Sequence, residues 1–152
     1  MKHLLIIFSL LAFITPAHSS QIDGKGLICD PTNGLDRQKV FLFKSGKALR
    51  YSSSKKIISV LRNKPEFYLQ ILEEPYSIYT HKITWGVGAY YGEGSYRGMP
   101  EYFLNRKNLQ LKWLSGQTSW EFQCRISNEQ EINRVMERKV RRDNQYMKKN
   151  KI

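Results

Sequence analysis

The sequence has few of the residues that metal binding and histidine-based catalysis need. Its 152 residues include two cysteines and three histidines. No Cys-x-x-Cys pair or cysteine–histidine cluster occurs among them. His3 and His18 lie within the first nineteen residues, and His81 is the one histidine in the rest of the chain. This scarcity excludes a multi-histidine metal site and acid–base chemistry with two histidines, so we expect no bound metal.

Acidic residues are also scarce, and they form no evident catalytic pair. Thirteen Asp and Glu stand against twenty-five Lys and Arg, a formal net charge of +12. Glu73 and Glu74 are adjacent and would point to opposite faces of a strand. Glu93 lies within a glycine-rich segment, residues 85–98, and Glu101 follows it; these two are the carboxylates to test for glycosidase-like chemistry. The sequence therefore predicts that the protein is not an enzyme, although a desolvated carboxylate beside the glycines would favour one.

Long hydrophobic runs are absent beyond the N-terminus. Residues 4–14 are mostly apolar, follow the basic Lys2, and precede Pro16 and the small residues Ala17 and Ser19. This pattern is typical of a secretory signal peptide. The apolar stretch is well short of the roughly 18 to 20 residues that a membrane-spanning helix needs. We expect a signal peptide at residues 1–19, a mature chain without a transmembrane segment, and a periplasmic or secreted protein.

Export predicts a disulfide between Cys29 and Cys124, because the destination compartment is oxidising. The bridge would tie the first strand to the last across a loop of roughly a hundred residues. Cys124 alternates with Trp120, Phe122 and Ile126 in a pattern that turns its side chain toward a core. That position argues against a reactive thiol, which needs partial exposure and a neighbour that stabilises the thiolate.

Alternating apolar residues predict β-strands along most of the chain. The clearest case is residues 108–126, an antiparallel hairpin with a polar turn. Shorter β-branched and aromatic runs recur upstream at 26–29, 39–43, 48–52, 56–61, 67–72, 76–80, 82–87 and 101–105. Short, evenly spaced strands indicate a barrel or a sandwich, and closure is favoured because it removes exposed edges. The predicted fold is mainly β, a small antiparallel β-barrel or meander of about eight strands over residues 20–127, with a C-terminal α-helix.

The hydrophobic period changes to three and four residues after Ser127, at Ile132, Val135 and Val140. Ser127 and Gln130 fit a capping box, which predicts a helix over 128–145. We expect residues 128–152 to form this helix and a basic tail that frays at its end.

Basic residues accumulate toward the end of the predicted helix. Arg138, Arg141 and Arg142 are the residues predicted to bind there. A cationic end attracts an anionic envelope polymer or surface, because binding releases counterions from the polyanion. The alternative is that these arginines form a solvated face.

Half of the ten glycines lie in residues 85–98, together with three tyrosines. The segment lacks the ending of a phosphate-binding loop and the following helix of a dinucleotide site, so we expect no cofactor and no specific nucleic acid. Glycines allow a mobile loop, and tyrosine rings supply flat contact area for sugars, bases or a protein. The predicted binding residues are Tyr90, Tyr91, Tyr96 and Arg97. The alternative is a long connection whose tyrosines lie on the barrel.

A family resemblance rests on a set of short segments: residues 27–29, 41–43 with 46–47, 83–85, the Leu-Asn-Arg-Lys-x-Leu-x-Leu run at 104–111, residues 122–127 and the charged helical tail. Together these segments resemble a family of short exported bacterial β proteins of uncharacterised function. The resemblance implies no activity, but it implies that the barrel and the Cys29–Cys124 bridge occur together. A second likeness is to membrane-bound lysozyme inhibitors of the C type. The chain lacks their serine-bearing loop and lipid-attachment cysteine, so inhibition is not expected.

The sequence favours a non-catalytic binding or interaction module of the cell envelope. The alternative is a lipocalin-like carrier of a small apolar ligand. The two differ in the barrel interior, because a carrier must leave a pocket of roughly 300 Å³ or more. Bulky side chains such as Trp85, Trp113, Trp120 and Phe122 favour a filled interior.

Overall fold

The computed structural model describes residues 22–33, 38–56, 66–86, 101–115 and 118–149. These residues form β1 (Gly26–Pro31), β2 (Lys39–Lys44), β3 (Lys47–Lys56), β4 (Glu66–Ile78), β5 (Lys82–Trp85), β6 (Tyr102–Asn105), β7 (Gln110–Ser115), β8 (Thr118–Ser127) and α1 (Glu129–Lys149). Each strand pairs antiparallel with the next, and β8 pairs with β1 to close the barrel. The predicted mainly β barrel with a C-terminal helix is confirmed.

Side chains from alternate strand positions fill the barrel. The rings of Phe41 and Trp85 meet edge to face at 4.9 Å, and Trp85 stacks on Tyr102 at 5.4 Å. The remaining interior residues are Leu27, Cys29, Phe43, Ala48, Ile83, Leu104, Leu111, Phe122 and Cys124, all buried. The middle of the barrel is therefore a packed core rather than a channel.

Cys29 and Cys124 form a disulfide, the pair that the sequence predicts. The two residues stand directly opposite each other on β1 and β8. The bridge therefore fastens the seam at which the first and last strands close the sheet.

Two strands predicted as separate form a single strand in the structure. Residues 67–72 and 76–80 were expected to form separate strands, but β4 runs through Glu73, Glu74 and Pro75 without a break. Pro75 is the last β4 residue paired with β3, and pairing with β5 begins at Tyr76. Proline is tolerated there because the strand changes neighbours at that point. Beyond Lys56, the predicted strand 56–61 lies outside the described residues.

The helix begins at a cap that differs from the predicted one. Asn128, not Ser127, accepts the backbone N–H of Glu131 through its side-chain oxygen at 2.9 Å. The Ser127 hydroxyl instead donates to the Glu131 carboxylate at 2.7 Å. Asparagine fits this role because its side-chain oxygen reaches the N–H three residues on.

The helix also extends past its predicted end. It continues to Lys149, and its later turns are held against β4. The side-chain amide of Asn144 accepts from the Phe67 N–H at 2.8 Å and donates to the Phe67 carbonyl at 2.9 Å. The helix end predicted at residue 145 is therefore four residues short.

The apolar face of α1 covers the outer surface of the first three strands. Ile132 and Met136 are buried against Ile28, Val40 and Leu42. The approach is close enough that a Cβ at Gly26 would overlap the Ile132 side chain. The molecule thus has one hydrophobic cluster inside the barrel and another beneath the helix. No helix in the described part of the chain is both long enough and apolar enough to cross a membrane.

Candidate ligand-binding site at the barrel mouth

One end of the barrel, here called the mouth, is lined by charged and aromatic side chains. Lys39 stands opposite Cys29, Arg50 opposite Phe41, and Glu74 opposite Ala48. Cross-strand partners share a face, and Cys29, Phe41 and Ala48 lie in the barrel interior. Lys39, Arg50 and Glu74 therefore belong to the inner face of the sheet, and so does Trp113, which stands opposite the buried Tyr102.

Arg50 holds the polar part of the mouth together. Its Nη1 donates to the Tyr102 hydroxyl at 2.8 Å and lies 4.0 Å from Glu101 Oε1. Its Nη2 lies 3.8 Å from Glu74 Oε1. The three charged side chains are between 16% and 24% exposed, so water screens their interactions only in part. One guanidinium therefore serves two carboxylates and a phenol.

Burial shifts the titration of this group. Desolvation raises the pKa of Glu74, Arg50 opposes that shift, and Glu101 adds to it. Desolvation also raises the pKa of Tyr102. Burial by itself would lower the pKa of Arg50, but Tyr102 and the two carboxylates outweigh it and raise that pKa. Arg50 consequently stays charged, while Glu74 takes up a proton more readily than an exposed glutamate.

A stack of aromatic rings forms the other side of the mouth. Trp113 stacks on Trp120 at 4.4 Å and on Tyr102 at 6.3 Å. Lys39 Nζ lies 3.5 Å from the centre of the Trp113 ring, a cation–π contact. The Trp113 indole N–H donates to Glu101. Because both tryptophans are half-buried, they present part of their ring surface at the mouth.

A groove of about 900 Å³ joins the mouth to the end of α1. It passes over the barrel edge near the start of β2. Its charged lining consists of Lys39, Arg50, Lys139 and Arg142, with Asp143 as the one acid among the described lining residues. Glu74 and Glu101 offset the charge of Arg50, so the cationic character of the groove comes mainly from the two lysines and Arg142.

Two buried polar atoms in the mouth lack a hydrogen-bonding partner among the described residues. They are Arg50 Nε, a donor, and Glu74 Oε2, an acceptor. Buried polar atoms in native proteins nearly always have partners, so these two atoms mark an unsatisfied donor and an unsatisfied acceptor in the mouth.

The structure distributes the predicted site residues unevenly. Arg142 lines the groove, whereas Arg138 and Arg141 are exposed on α1 and are not groove residues. Tyr90, Tyr91, Tyr96 and Arg97 lie outside the described residues. Glu101 follows that segment and is part of the mouth.

Sequence reasoning missed Lys39, Arg50 and Glu74. Along β3 both alternating sets mix apolar and polar residues, so the pattern gives no sign that Arg50 points inward. Glu74 was correctly expected to face away from Glu73, which pairs with Lys47 at 2.7 Å. Nothing in the sequence showed that Glu74 would meet Arg50 across the strand pair.

The opposite end of the barrel, here called the base pocket, is an open apolar depression of about 380 Å³. Its lining is Ile22, Lys25, Leu27, Ile78, Ile83, Leu104, Arg106, Leu109 and Ile126. The barrel thus has a charged, aromatic end and an apolar end, separated by a packed core.

In the described part of the chain, no three His, Cys, Asp or Glu side chains are grouped as a metal site requires. Comparison of the chain with protein families, curated proteins and solved structures finds no match to any of them.

Proposed function

We propose that the protein is a non-catalytic binding module of the cell envelope, and that its mouth and adjoining groove bind an anionic glycan. The observation that carries this proposal is the groove that runs to the basic end of α1 from Lys39 and Arg50, the two cations that contact the aromatic side chains Trp113 and Tyr102 of the mouth. Flat indole faces suit the apolar faces of sugar rings, and cations suit carboxylate, sulfate or phosphate substituents.

The charges favour an anionic glycan over a neutral one. Among the described lining residues, Lys139, Arg142 and Lys39 face the groove and Asp143 is the one acid. The formal charge of +12 over the whole chain adds a long-range attraction to polyanions. An exported protein would meet such polymers in the cell envelope, which is where we place it.

A hydrolytic role has two observations in its favour. Glu101 is desolvated beside the glycine-rich segment, and the pKa of the nearby Glu74 is raised. Both carboxylates, however, lie against Arg50, and Glu101 also accepts the indole N–H of Trp113. Because these contacts account for both groups, we propose binding without catalysis.

A lipocalin-like carrier of a small apolar ligand is the second candidate. Aromatic rings fill the middle of the barrel, which is where a lipocalin has its ligand cavity. The structure therefore does not favour a central ligand site. The base pocket supports an apolar ligand at a different place, and its volume lies within the range of small-molecule sites.

The test of the first proposal is a pair of matched double variants on one helix. Lys139→Gln/Arg142→Gln removes two groove cations, whereas Lys148→Gln/Lys149→Gln removes two exposed cations outside the groove. Binding to polygalacturonate is measured by titration at several salt concentrations, with dextran as the neutral control. We expect the groove variant to lose about tenfold in affinity at low salt, and its slope of log affinity against log salt to fall by about two.

The control variant should bind nearly as tightly as the parent protein, and dextran should bind weakly to all three. Tryptophan fluorescence should change on binding because Trp113 and Trp120 line the mouth. Equal losses in the two variants would show that attraction is spread over the surface, and the groove would not be the site.

A further inference from the structure

The base pocket exposes isoleucines that belong to the inner face of the barrel. Ile126 lies two residues from Cys124 on β8 and shares its inward side, yet 58% of it is exposed. Ile78, two residues from the inward Tyr76, is 42% exposed. Below them, Leu27, Ile83 and Leu104 are buried and close the floor. The barrel therefore ends in an apolar cup whose walls reach solvent.

Two cations stand at the edge of this cup. Lys25 and Arg106 line it, and none of the described lining residues is acidic. Arg106 Nη1 donates to the carbonyls of Tyr79 and Thr80 at 3.2 and 3.5 Å, which fixes the guanidinium near the rim. Arg106 keeps further N–H donors for an anion, because a guanidinium has five. An apolar floor below a cationic rim matches an amphiphile with one negative head.

We propose that the base pocket binds the acyl chain of a free fatty acid, with the carboxylate between Lys25 and Arg106. The volume of about 380 Å³ suits one chain of medium length rather than a lipid with two chains. The apolar lining removes the methylene groups from water, and the two cations neutralise the head group. This site is independent of the glycan site, because the packed core separates the two ends of the barrel.

The first experiment measures displacement of a fluorescent naphthalene sulfonate probe by dodecanoate, kept below its micelle concentration. Ile126→Asp places a negative charge in the pocket at an exposed position, so the fold should tolerate it. The matched control is Ile71→Asp, which changes the same residue type at 45% exposure outside the pocket. We expect the pocket variant to weaken dodecanoate binding by about tenfold or more. The new carboxylate is unfavourable beside the acyl chain and repels the negatively charged head group. The control should match the parent protein.

Ile78→Asp is the second pocket variant, and circular dichroism confirms that each variant is folded. If both folded pocket variants bind dodecanoate as tightly as the parent protein, the proposal is wrong. It is equally wrong if the Ile71 variant loses as much affinity as they do.

The second experiment tests the head group. Lys25→Gln/Arg106→Gln should weaken dodecanoate by about tenfold and leave its methyl ester, which carries no charge, unaffected. Lys56→Gln, an exposed substitution on β3 outside the pocket, should leave both ligands unaffected. Equal binding of acid and ester to the parent protein would overturn the head-group assignment.

The third experiment distinguishes binding of a free fatty acid from docking of the pocket on a lipid bilayer. Sedimentation with phosphatidylglycerol vesicles should show no loss of binding on Ile126→Asp if the pocket serves a free ligand. If Ile126→Asp reduces sedimentation while dodecanoate fails to bind, the pocket docks on membranes instead and the proposal fails. Failure here leaves the polygalacturonate result untouched, because the groove variants do not alter the base pocket.

Discussion

At the scale of single residues, the mouth depends on the arginine that holds two glutamates in place. Arg50 lies between Glu74 and Glu101 and contacts Tyr102, with each of the charged side chains mostly removed from water. Ion pairs in such surroundings contribute little net stability, because desolvation offsets the attraction. Their value here lies in orientation, since the pairs fix where donors and acceptors point. Burial disfavours the charged form of Glu74, and the pKa of this carboxylate is raised as a result.

Glu74→Gln should change how the stability of the protein depends on pH. The raised pKa means that the folded state binds a proton at Glu74 more tightly than the unfolded state does. Its contribution to stability is therefore complete below the ordinary value of 4.5 and is lost as the pH rises through the folded pKa. The variant is neutral at every pH, so its melting temperature at neutral pH should equal or exceed that of the parent protein.

Thermal melts of both proteins from below pH 4.5 to neutrality give the measurement. The advantage of the variant should shrink as the pH falls. Glu73→Gln is the control, because Glu73 is exposed and points outward. A variant that is destabilised at neutral pH and recovers in acid would contradict the assignment.

The role of a single residue could be predicted from the sequence only where its neighbours in the sequence determine that role. Cys29 and Cys124 were predictable because the expected export and the local alternation of apolar residues constrain them directly. Arg50 was not, because its role depends on residues 24 and 51 positions further along the chain, at Glu74 and Glu101. A contact of that range is decided by register, which composition does not encode.

At the scale of elements, α1 is a component of the fold rather than an appendage. Its apolar face closes the outer cluster with Ile132 and Met136, and Asn144 ties its later turns to the start of β4. The period change after Ser127 was enough to predict where the helix begins. Its length was not predictable, because the anchoring bonds of Asn144 join residues 77 positions apart.

Asn144→Ala should loosen the last turns of α1. The substitution removes both bonds to Phe67 and leaves a backbone N–H and carbonyl unpaired, which costs about 1 to 3 kcal/mol of stability. Amide hydrogen exchange should become faster in the later turns of the helix and around Phe67. Asn133→Ala, at an exposed position on the same helix, is the control and should change neither. Unchanged exchange in the Asn144 variant would mean that the helix is held by its apolar face alone.

At the scale of the whole molecule, closure of the sheet was the most predictable feature. Evenly spaced short strands with polar turns leave few arrangements that avoid an exposed edge, and the barrel is one of them. What the pattern left open was the chemistry of the two ends. Which side chains gather at the mouth or the base follows from register and strand length, as in β4, where two predicted strands are one.

Replacing both cysteines with alanine should destabilise the barrel without changing its architecture. The bridge joins residues 95 positions apart, so the chain-entropy estimate of its contribution is about 4 to 5 kcal/mol. Urea titration of the Cys29→Ala/Cys124→Ala variant measures the loss, and circular dichroism checks that the strands persist. A reducing agent should destabilise the parent protein by a similar amount and leave the variant unaffected. Equal midpoints for the oxidised parent and the variant would show that the seam needs no covalent link.

The pairing of β1 with β8 also sets the order in which the chain matures. A growing polypeptide carries its first strand from the start but lacks the partner for one edge of that strand until synthesis reaches residue 127. Hairpins formed in between are sheets with two unpaired borders, and such fragments are prone to associate with one another. Chains truncated anywhere before β8 are therefore expected to associate with one another, because the sheet closes only when residues 118–127 are available to pair with β1.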